Sequence, residues 1–158
     1  MRDTDAHISR LTGQVFGPTY LDGLLVDPAS VWWSRPTVAA VLAAEAVRAD
    51  AGVAMVKAIQ HAHYVAGQPV VDDEVLVVAA ATAGLDTAAF RDAIAAVPVD
   101  RHIQDTRSLM RRHGLQGFPS FLLERDGILE HLPHEGCYGR PDAFVAAIRA
   151  AVLSRLTA

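Results

Sequence analysis

Apolar and polar residues alternate with a helical period over the first two thirds of the chain. In most segments before residue 113 the apolar side chains recur every three or four positions, and Gly, Pro or Asp residues separate one segment from the next. This spacing places the apolar side chains on one face of an α-helix. The pattern predicts helices over about 11–27, 34–52, 53–66, 73–83, 86–96 and 99–113.

Residues that start or end helices mark several of these boundaries. Pro36 stands in the first turn of the second predicted helix, where a proline loses no backbone hydrogen bond. Asp72 and Asp86 are placed to cap the backbone N–H groups of the helices that follow them. Gly67 and Gly84 allow the left-handed backbone that often ends a helix. We therefore expect two short helices in tandem after Asp72.

The composition agrees with a helical protein. Hydrophobic residues make up 51% of the sequence, but 28 residues are Ala and only 6% of the sequence is aromatic. Most of the apolar content is therefore helix-favouring rather than the β-branched and aromatic residues of strands, which argues against an all-β fold. The larger side chains expected to face the core are Phe16, Tyr20, Leu24, Val38, Val41, Leu42, Val47, Met55, Val56, Ile59 and His63.

The pattern changes after residue 117. Two apolar runs, 120–123 and 128–132, flank an Asp126-Gly127 step, which is a strong short-range signal for a β-hairpin. The sequence predicts no other strands, and because two strands alone are marginally stable, something must cover or extend them. Pro141 then opens a last helix. Its inner face is predicted at Phe144, Ile148, Val152 and Leu156.

The length and charge of the chain limit its architecture and partners. A chain of 158 residues is long enough to bury a core as one domain. A net charge of −4 and a pI of about 5.9 provide no basic field for nucleic acid. The polar N-terminus is not that of a signal peptide, and no run reaches the ~20 apolar residues of a membrane span. We expect a cytoplasmic protein that binds neither nucleic acid nor membrane.

Cys137 is the single cysteine of the chain. One cysteine excludes an intramolecular disulfide, a CxxC motif and a cysteine-rich zinc site. Cys137 lies in the run HEGCYGRPD, between the predicted hairpin and the last helix. It is a weak candidate for a catalytic thiol. A partly buried loop thiol is the simpler interpretation, and a single reactive thiol or an intermolecular disulfide is the alternative.

Three segments are similar to known thioredoxin-fold proteins. Residues 114–127, GLQGFPSFLLERDG, resemble the strand entry of that fold, where a short loop, an apolar residue and a proline precede a strand and a turn. Residues 55–90 contain AHYVAG, DDEVL and AGLDTAAF, which resemble the helical insertion of DsbA-like proteins. Residues 11–47 resemble the bacterial protein-disulfide isomerase branch of that family. On these segments the chain is identified as a DsbA-like protein over about residues 11–153.

The resemblance implies a function for the loop that contains Pro119. In that family the proline is cis and faces the redox cysteines, and its loop binds extended peptide or thiol substrates through the backbone. Gly117, Phe118 and Pro119 are accordingly the predicted substrate-binding residues. The alternative is a proline that only shapes the entry to the strand and holds no ligand.

The sequence departs from the family at its N-terminus. Family members begin with a strand, a CxxC motif at the start of a helix and a second strand, which have no counterpart here. We therefore expect a truncated relative or a start assigned too late. The predicted fold is a helix-rich, thioredoxin-like α/β fold of the DsbA type with an incomplete sheet. We expect a single domain over 1–158, with the helical insertion at about 30–113 and the C-terminal hairpin–helix half at about 114–156.

Three functions remain open on these observations. The first is a thiol–disulfide oxidoreductase or protein-disulfide isomerase homologue without redox activity, because exchange needs an attacking thiolate and a second thiol. The second is a non-enzymatic module that binds a partner or a second copy through an exposed sheet edge. The third is a glutathione-dependent isomerase- or transferase-like protein. No cofactor is predicted, and the expected partners are a thiol- or disulfide-containing protein or peptide and a second copy of the chain.

Three further groups of side chains are weighed as binding sites. His131 and His134, beside Glu135, are the histidines best arranged for a metal, but surface histidines are the simpler interpretation and no metal is predicted. At least one of Trp32 and Trp33 is expected to pack between the helices and the sheet, or against another subunit. A basic row near the proline loop would suit a ligand carboxylate, although a solvated helix end is expected. It consists of Arg107, Arg111 and Arg112.

Overall fold

The computed structural model describes residues 1–153 and is rich in helix. Within these residues, seven α-helices and two π-helices accompany one β-hairpin. The predicted order of helices, hairpin and last helix is confirmed. In chain order the elements are α1 (Arg2–Thr12), π1 (Tyr20–Leu24), α2 (Arg35–Val47), α3 (Gly52–Gln60), π2 (His61–Val65), α4 (Asp73–Thr82), α5 (Thr87–Ala96), α6 (Val99–Arg112), β1 (Phe121–Arg125), β2 (Ile128–Leu132), a 3₁₀ turn (Glu135–Cys137) and α7 (Pro141–Leu153).

The two predicted aspartate caps set the starts of α4 and α5. The side chain of Asp72 accepts a hydrogen bond from the backbone N–H of Glu74 at 2.9 Å, and that of Asp86 accepts one from Ala89 at 2.8 Å. Each cap pairs one of the backbone donors that the start of a helix leaves without an intrahelical partner. The prediction of two short helices in tandem is therefore confirmed.

Two regions differ from the sequence prediction. Helix α1 forms in an N-terminal stretch for which no helix is predicted before residue 11, because few of its residues are apolar. The helix predicted over 11–27 is wrong as a continuous element, because residues 13–17 are not helical and π1 follows over Tyr20–Leu24. The helix predicted over 53–66 is divided into α3 and π2. In an i→i+5 turn, residues four apart still lie on nearly the same face. Apolar periodicity therefore does not distinguish a π-turn from an α-turn.

One compact unit is formed by Val15–Ile103, and small side chains fill much of its core. Helix α2 packs against α3, α4 and α5. The valines and the leucine predicted for its inner face are only partly buried, because a helix surrounded by three others requires small side chains at its contacts. The core is completed by the fully buried Met55, Leu76 and Phe90. The buried residues of α2 are Ala39, Ala40, Ala43 and Ala44.

An aromatic cluster in the same unit connects π1 and π2. The buried ring of Tyr20 lies 5.3 Å from the ring of Tyr64 and 5.4 Å from that of His63, measured between centroids. Trp32 contacts His63 edge-on at 5.3 Å, but both tryptophans are about half exposed, Trp32 at 47% and Trp33 at 55%. Neither tryptophan is buried in the described chain, so packing of one of them against another subunit stays a prediction.

The β-hairpin has the predicted turn. Strands β1 and β2 pair antiparallel, with Phe121 opposite Leu132 at the open end. Asp126 and Gly127 between the strands have φ of 52° and 77°. A two-residue turn with positive φ at both positions matches the twist of the flanking strands. The sheet has only these two strands within residues 1–153.

The hairpin belongs to a second compact unit, which combines Asp3–Gln14 with residues 104–153. The ring of Phe121 lies 4.9 Å from that of Phe144 on α7, so this residue of the predicted apolar face contacts the hairpin, whereas Val152 of the same face is exposed. Leu156, predicted for the same face, lies outside the described residues. The predicted single domain, divided near residue 113, stays a prediction.

None of the described helices has both the length and the apolar composition that a membrane crossing requires.

Candidate functional site

The chain passes from α6 into β1 through a loop that contains Pro119. Gly114, just after the helix, has φ of 64°, and the peptide bond between Phe118 and Pro119 is cis. This is the isomer that the family resemblance implies. The hydroxyl of Ser120 donates a hydrogen bond to the carbonyl of Gly117 at 2.6 Å, across the proline. The loop is thus tied to itself immediately before the strand.

The loop forms one wall of a cavity of about 510 Å³. The opposite wall comes from the end of β2 and the turn that follows it. The predicted substrate-binding residues Gly117, Phe118 and Pro119 all line it. The complete lining is residues 113–120 with His131, His134, Glu135 and Tyr138.

The same loop carries backbone donors that the protein does not use. Within residues 1–153, the N–H groups of Gln116, Gly117 and Phe118 donate no hydrogen bond to another group of the protein. The side chain of Phe118 is 78% exposed. Unpaired backbone groups beside an exposed apolar side chain are what an extended peptide pairs with when it binds by its main chain.

Glu135 gives the cavity a negative charge. One of its carboxylate oxygens accepts a hydrogen bond from the backbone N–H of His134 at 3.1 Å. The backbone N–H groups of Glu135 itself and of His134 hold the pKa of Glu135 below its usual range, and the imidazoles of His134 and His131 act in the same direction. The carboxylate is therefore ionised at neutral pH.

The histidines of the cavity wall are not arranged as a metal centre. The Nε2 atom of His134 lies 3.9 Å from Oε1 of Glu135. Over the described part of the chain, no group of three or more His, Cys, Asp or Glu side chains is placed to hold a metal ion. His131 and His134 instead line the cavity together with His113.

The sequence did not indicate several lining residues. Ser120 and Gln116 adjoin the predicted loop, but His113 and Tyr138 come from segments without a recognisable motif. The one available signal for Tyr138 is its place in the run HEGCYG, between the hairpin and the last helix. The predicted basic row does not line the cavity, and all three of its residues are exposed, as expected for a solvated helix end. They are Arg107, Arg111 and Arg112.

Cys137 lies outside this cavity. It is half-buried, is not in a disulfide, and lines a neighbouring cavity of about 260 Å³. Three residues line both cavities and therefore stand between them: Pro119, His134 and Tyr138. The candidate thiol therefore lies close to the predicted substrate-binding loop but does not line the larger cavity.

Comparison with known proteins places the fold among thioredoxin-like structures. The family model of the DSBA-like thioredoxin domain matches residues 30–138. The cytosolic disulfide reductase DsbM from Pseudomonas aeruginosa is 44% identical, with a TM-score of 0.87 over 95% of this chain and 74% of that one. The same reductase with GSH gives 43% identity and a TM-score of 0.85, over 94% and 73% of the two chains.

A more distant structure shows the same fold. A proposed protein disulfide isomerase from Nitrosomonas europaea is 17% identical, with a TM-score of 0.78 over 92% of this chain and 69% of that one. At this identity the similarity concerns the fold alone. No match is found among the curated proteins.

Proposed function

The chain belongs to the family of DSBA-like thioredoxin domains, a family of thiol–disulfide oxidoreductases, and from this membership we propose that it binds a thiol- or disulfide-containing peptide beside Pro119. The observation that carries the proposal is the set of unused backbone donors at Gln116, Gly117 and Phe118, on the wall of a 510 Å³ cavity. A bound peptide would pair its carbonyl groups with these donors, as an added strand does.

The other polar groups of the cavity would set the orientation of a bound peptide. Ser120 and Gln116 offer side-chain hydrogen bonds at the loop, and Glu135 offers a carboxylate at the opposite wall. A carboxylate favours a cationic or amide-donating group of the ligand and disfavours a second carboxylate nearby. The ligand would therefore lie with its acidic end away from Glu135.

We also propose that these 158 residues do not turn over disulfides as a dithiol enzyme does. The sequence contains one cysteine, and exchange requires an attacking thiolate and a second thiol that resolves the mixed disulfide. In an insulin-reduction assay with dithiothreitol, the rate should equal that of dithiothreitol alone, for the wild type and for Cys137→Ser. Turnover that depends on the cysteine would contradict this part of the proposal.

Peptide binding can be tested without any covalent step. The probe is a short cysteine-containing peptide whose thiol is alkylated, titrated into Cys137→Ser protein while backbone amide resonances are followed by NMR. The resonances of Gln116, Gly117 and Phe118 should shift, because their N–H groups gain partners. Shifts confined to other parts of the chain would contradict the proposed site.

A pair of glycine variants provides a matched control for this titration. A Cβ at Gly117 or at Gly23 would meet no atom within 4 Å, so the first carbon of a side chain has room at both positions. Gly117→Val places that side chain on the cavity wall and should weaken peptide binding at least tenfold, or about 1.4 kcal/mol. Gly23→Val, far from the loop in sequence and in the other unit, should leave the affinity unchanged.

Glutathione is an alternative ligand of the same cavity. The observation that favours it is the structure of DsbM with GSH, at 43% identity. S-methylglutathione, which cannot form a disulfide, should shift the same loop resonances if the site accepts glutathione. Binding of the alkylated peptide without binding of S-methylglutathione would exclude this alternative and retain the peptide.

Self-association through the sheet is a second candidate function. Within residues 1–153, β1 and β2 pair only with each other, so no further strand is paired with the outer edge of either. An open edge pairs readily with another strand, and Ile128 leaves 55% of an apolar side chain exposed beside it. Sedimentation velocity over a concentration series tests this candidate, which a monomer at every concentration would contradict.

We further propose that the protein acts in the cytoplasm. The support is the similarity to DsbM, which is described as a cytosolic disulfide reductase. Fractionation of cells that produce the protein should recover it with cytoplasmic markers, and recovery in a membrane or exported fraction would contradict the proposal.

A further inference from the structure

We infer that Glu135 determines the specificity of the cavity beside Pro119, by selecting peptides that carry a lysine or arginine side chain close to the segment bound at the loop. This role rests on the proposed function, because it concerns a peptide that pairs with the unused N–H groups of residues 116–118. Main-chain pairing gives affinity for many peptides, whereas a side-chain contact decides which of them is preferred.

The cavity has an unbalanced negative charge. Glu135 carries the only carboxylate among the described residues that line it, and none of them is Arg or Lys. The nearest arginine along the chain, Arg140, donates a hydrogen bond to the carbonyl of Gly136 and none to this carboxylate. A positively charged group of a ligand would therefore be attracted to this wall and a negatively charged group repelled.

The carboxylate of Glu135 is positioned by the backbone and stays accessible to a ligand. Its Oε2 atom accepts a hydrogen bond from the N–H of His134 at 3.1 Å. Its Oε1 atom lies 3.9 Å from Nε2 of His134, which is too far for a hydrogen bond. No side chain among the described residues donates a hydrogen bond to either oxygen, and 69% of the Glu135 side chain is exposed. A cationic group would contact the carboxylate without breaking the bond that holds it.

The imidazoles of the cavity limit the pH range of this selection. The backbone N–H groups of Glu135 and His134, and then the imidazoles of His134 and His131, hold the pKa of Glu135 below its usual range. The other titratable side chains of the lining are His113 and Tyr138. Histidine side chains usually take up a proton between about pH 8 and about pH 5, and protonated imidazoles would offset the charge of the carboxylate. The selection should therefore be clear at about pH 7.5 and weaken in mild acid.

The position of the charge favours lysine and arginine as its partners. The unused N–H groups lie on one wall of the cavity and Glu135 lies on the opposite wall, so the charged group has to extend away from the peptide backbone. Lysine and arginine carry their charges on long apolar stems, which pack against apolar surface. The exposed side chain of Phe118 offers such a surface in the same lining. A guanidinium also donates two parallel hydrogen bonds to a carboxylate, so arginine should serve at least as well as lysine.

Three sets of short peptides test the selection on the full chain. Each peptide contains an alkylated cysteine and carries lysine, norleucine or glutamate at one of the four nearest positions, which are varied in turn. Norleucine matches the stem of lysine without its charge. Affinities are measured by fluorescence anisotropy at low ionic strength and about pH 7.5.

We expect a preference that depends on the position of the charge. At one position or more, lysine should bind about three- to fivefold more tightly than norleucine, which corresponds to an exposed ion pair, and glutamate should bind most weakly. Equal affinities for the three residues at every position would overturn the inference.

Two glutamine variants assign the preference to one carboxylate. Glu135→Gln removes the charge and keeps an oxygen that accepts the hydrogen bond from His134, so lysine and norleucine peptides should bind it equally. Glu124→Gln is the matched control, because Glu124 is an exposed residue of β1 in the same unit that does not line the cavity. It should keep the wild-type preference. Glu135→Lys should reverse the order, so that glutamate peptides bind best. A preference that survives Glu135→Gln, or that both glutamine variants reduce equally, would overturn the role of Glu135.

Failure of the selection is distinguishable from failure of peptide binding. The amide resonances of residues 116–118 report the binding of any peptide, including those with norleucine. If these resonances shift but the wild type shows no preference for lysine, binding at the loop stands and the role of Glu135 is wrong. If no peptide shifts them, both are wrong. Should the Glu135 variants fail to fold, the wild-type comparison repeated at about 0.5 M salt decides, because a preference due to an ion pair must decrease as salt screens it.

Discussion

At the scale of single residues, two arginines form forked ion pairs between helices. Arg91 of α5 donates hydrogen bonds of 2.8 and 2.7 Å to Glu74 of α4, and Arg35 donates two of 3.0 Å to Asp100 of α6. Each arginine holds the pKa of its partner carboxyl below the usual range, through hydrogen bonds first and charge second. All four side chains are largely exposed, so each pair makes only a small contribution to the free energy of unfolding, and salt reduces it.

The pair of Glu74 with Arg91 predicts a defined dependence of stability on pH. Because the pKa of Glu74 is lowered in the folded protein, its stabilising contribution is complete above the usual value of about 4.5 and is lost as the pH falls through the folded value. Glu74→Gln should lower the melting temperature slightly at about pH 7, and the difference from the wild type should vanish in acid.

Thermal unfolding at low ionic strength, from about pH 7 to about pH 3, measures this effect. Glu124→Gln is the matched control, because Glu124 is exposed and has no ion-pair partner among the described residues. Glu124→Gln should not lower the melting temperature to a comparable extent at neutral pH. A Glu74→Gln deficit that persists unchanged in acid would refute the electrostatic explanation.

At the scale of elements, the sequence predicts best what is encoded locally. The starts of α4 and α5 and the hairpin turn follow from a few residues whose own backbone preferences fix the structure, namely Asp72, Asp86 and the Asp126-Gly127 step. The inner face of α2 could not be predicted in this way. Which side of a helix rich in Ala and Val is buried depends on the three helices packed around it.

The same distinction applies to the candidate site. The loop at Gly117, Phe118 and Pro119 could be predicted because a contiguous motif resembles a known family. The cavity wall formed by His113 and Tyr138 could not, since only the folded chain brings these separate segments together. The substrate-binding role of the loop stays a prediction until the titration is made.

Two glycines with similar backbones separate the effect of conformation from that of close approach. Gly67 and Gly84 have φ of 66° and 76°. A Cβ at Gly67 would lie 2.7 Å from the backbone of Thr19, whereas one at Gly84 would meet only the end of the Arg48 side chain at 3.8 Å. Gly84→Ala should therefore cost only the left-handed conformation, about 1–2 kcal/mol. Gly67→Ala should cost clearly more.

Urea unfolding of both variants, followed by far-ultraviolet circular dichroism, measures this difference. Both glycines lie in the same compact unit, so each variant serves as the control for the other. Equal losses in the free energy of unfolding would show that the backbone at Thr19 yields to the new side chain without cost.

At the scale of the whole molecule, the predicted family and fold class are confirmed. The DSBA-like family model covers 30–138, and the described chain is helix-rich with a small antiparallel sheet. Within residues 1–153, nothing extends that sheet beyond β1 and β2. Phe144 of α7 contacts the sheet at Phe121, and neither strand is paired at its outer edge. A further strand could therefore extend the sheet by pairing with either edge.

The charge of an edge strand should therefore control association of the whole chain. Ile128→Lys places a charge at the exposed end of β2, where a second strand would have to approach, and charged side chains on edge strands oppose such pairing. In sedimentation velocity we expect the wild type to dimerise with rising concentration. Ile128→Lys should weaken the dimer at least tenfold, or about 1.4 kcal/mol.

Val78→Lys is the control, because it adds the same charge away from the sheet, at a valine of α4 that is 65% exposed. It should associate as the wild type does. Equal weakening by both variants would assign the effect to net charge and would count against pairing through the strand edge.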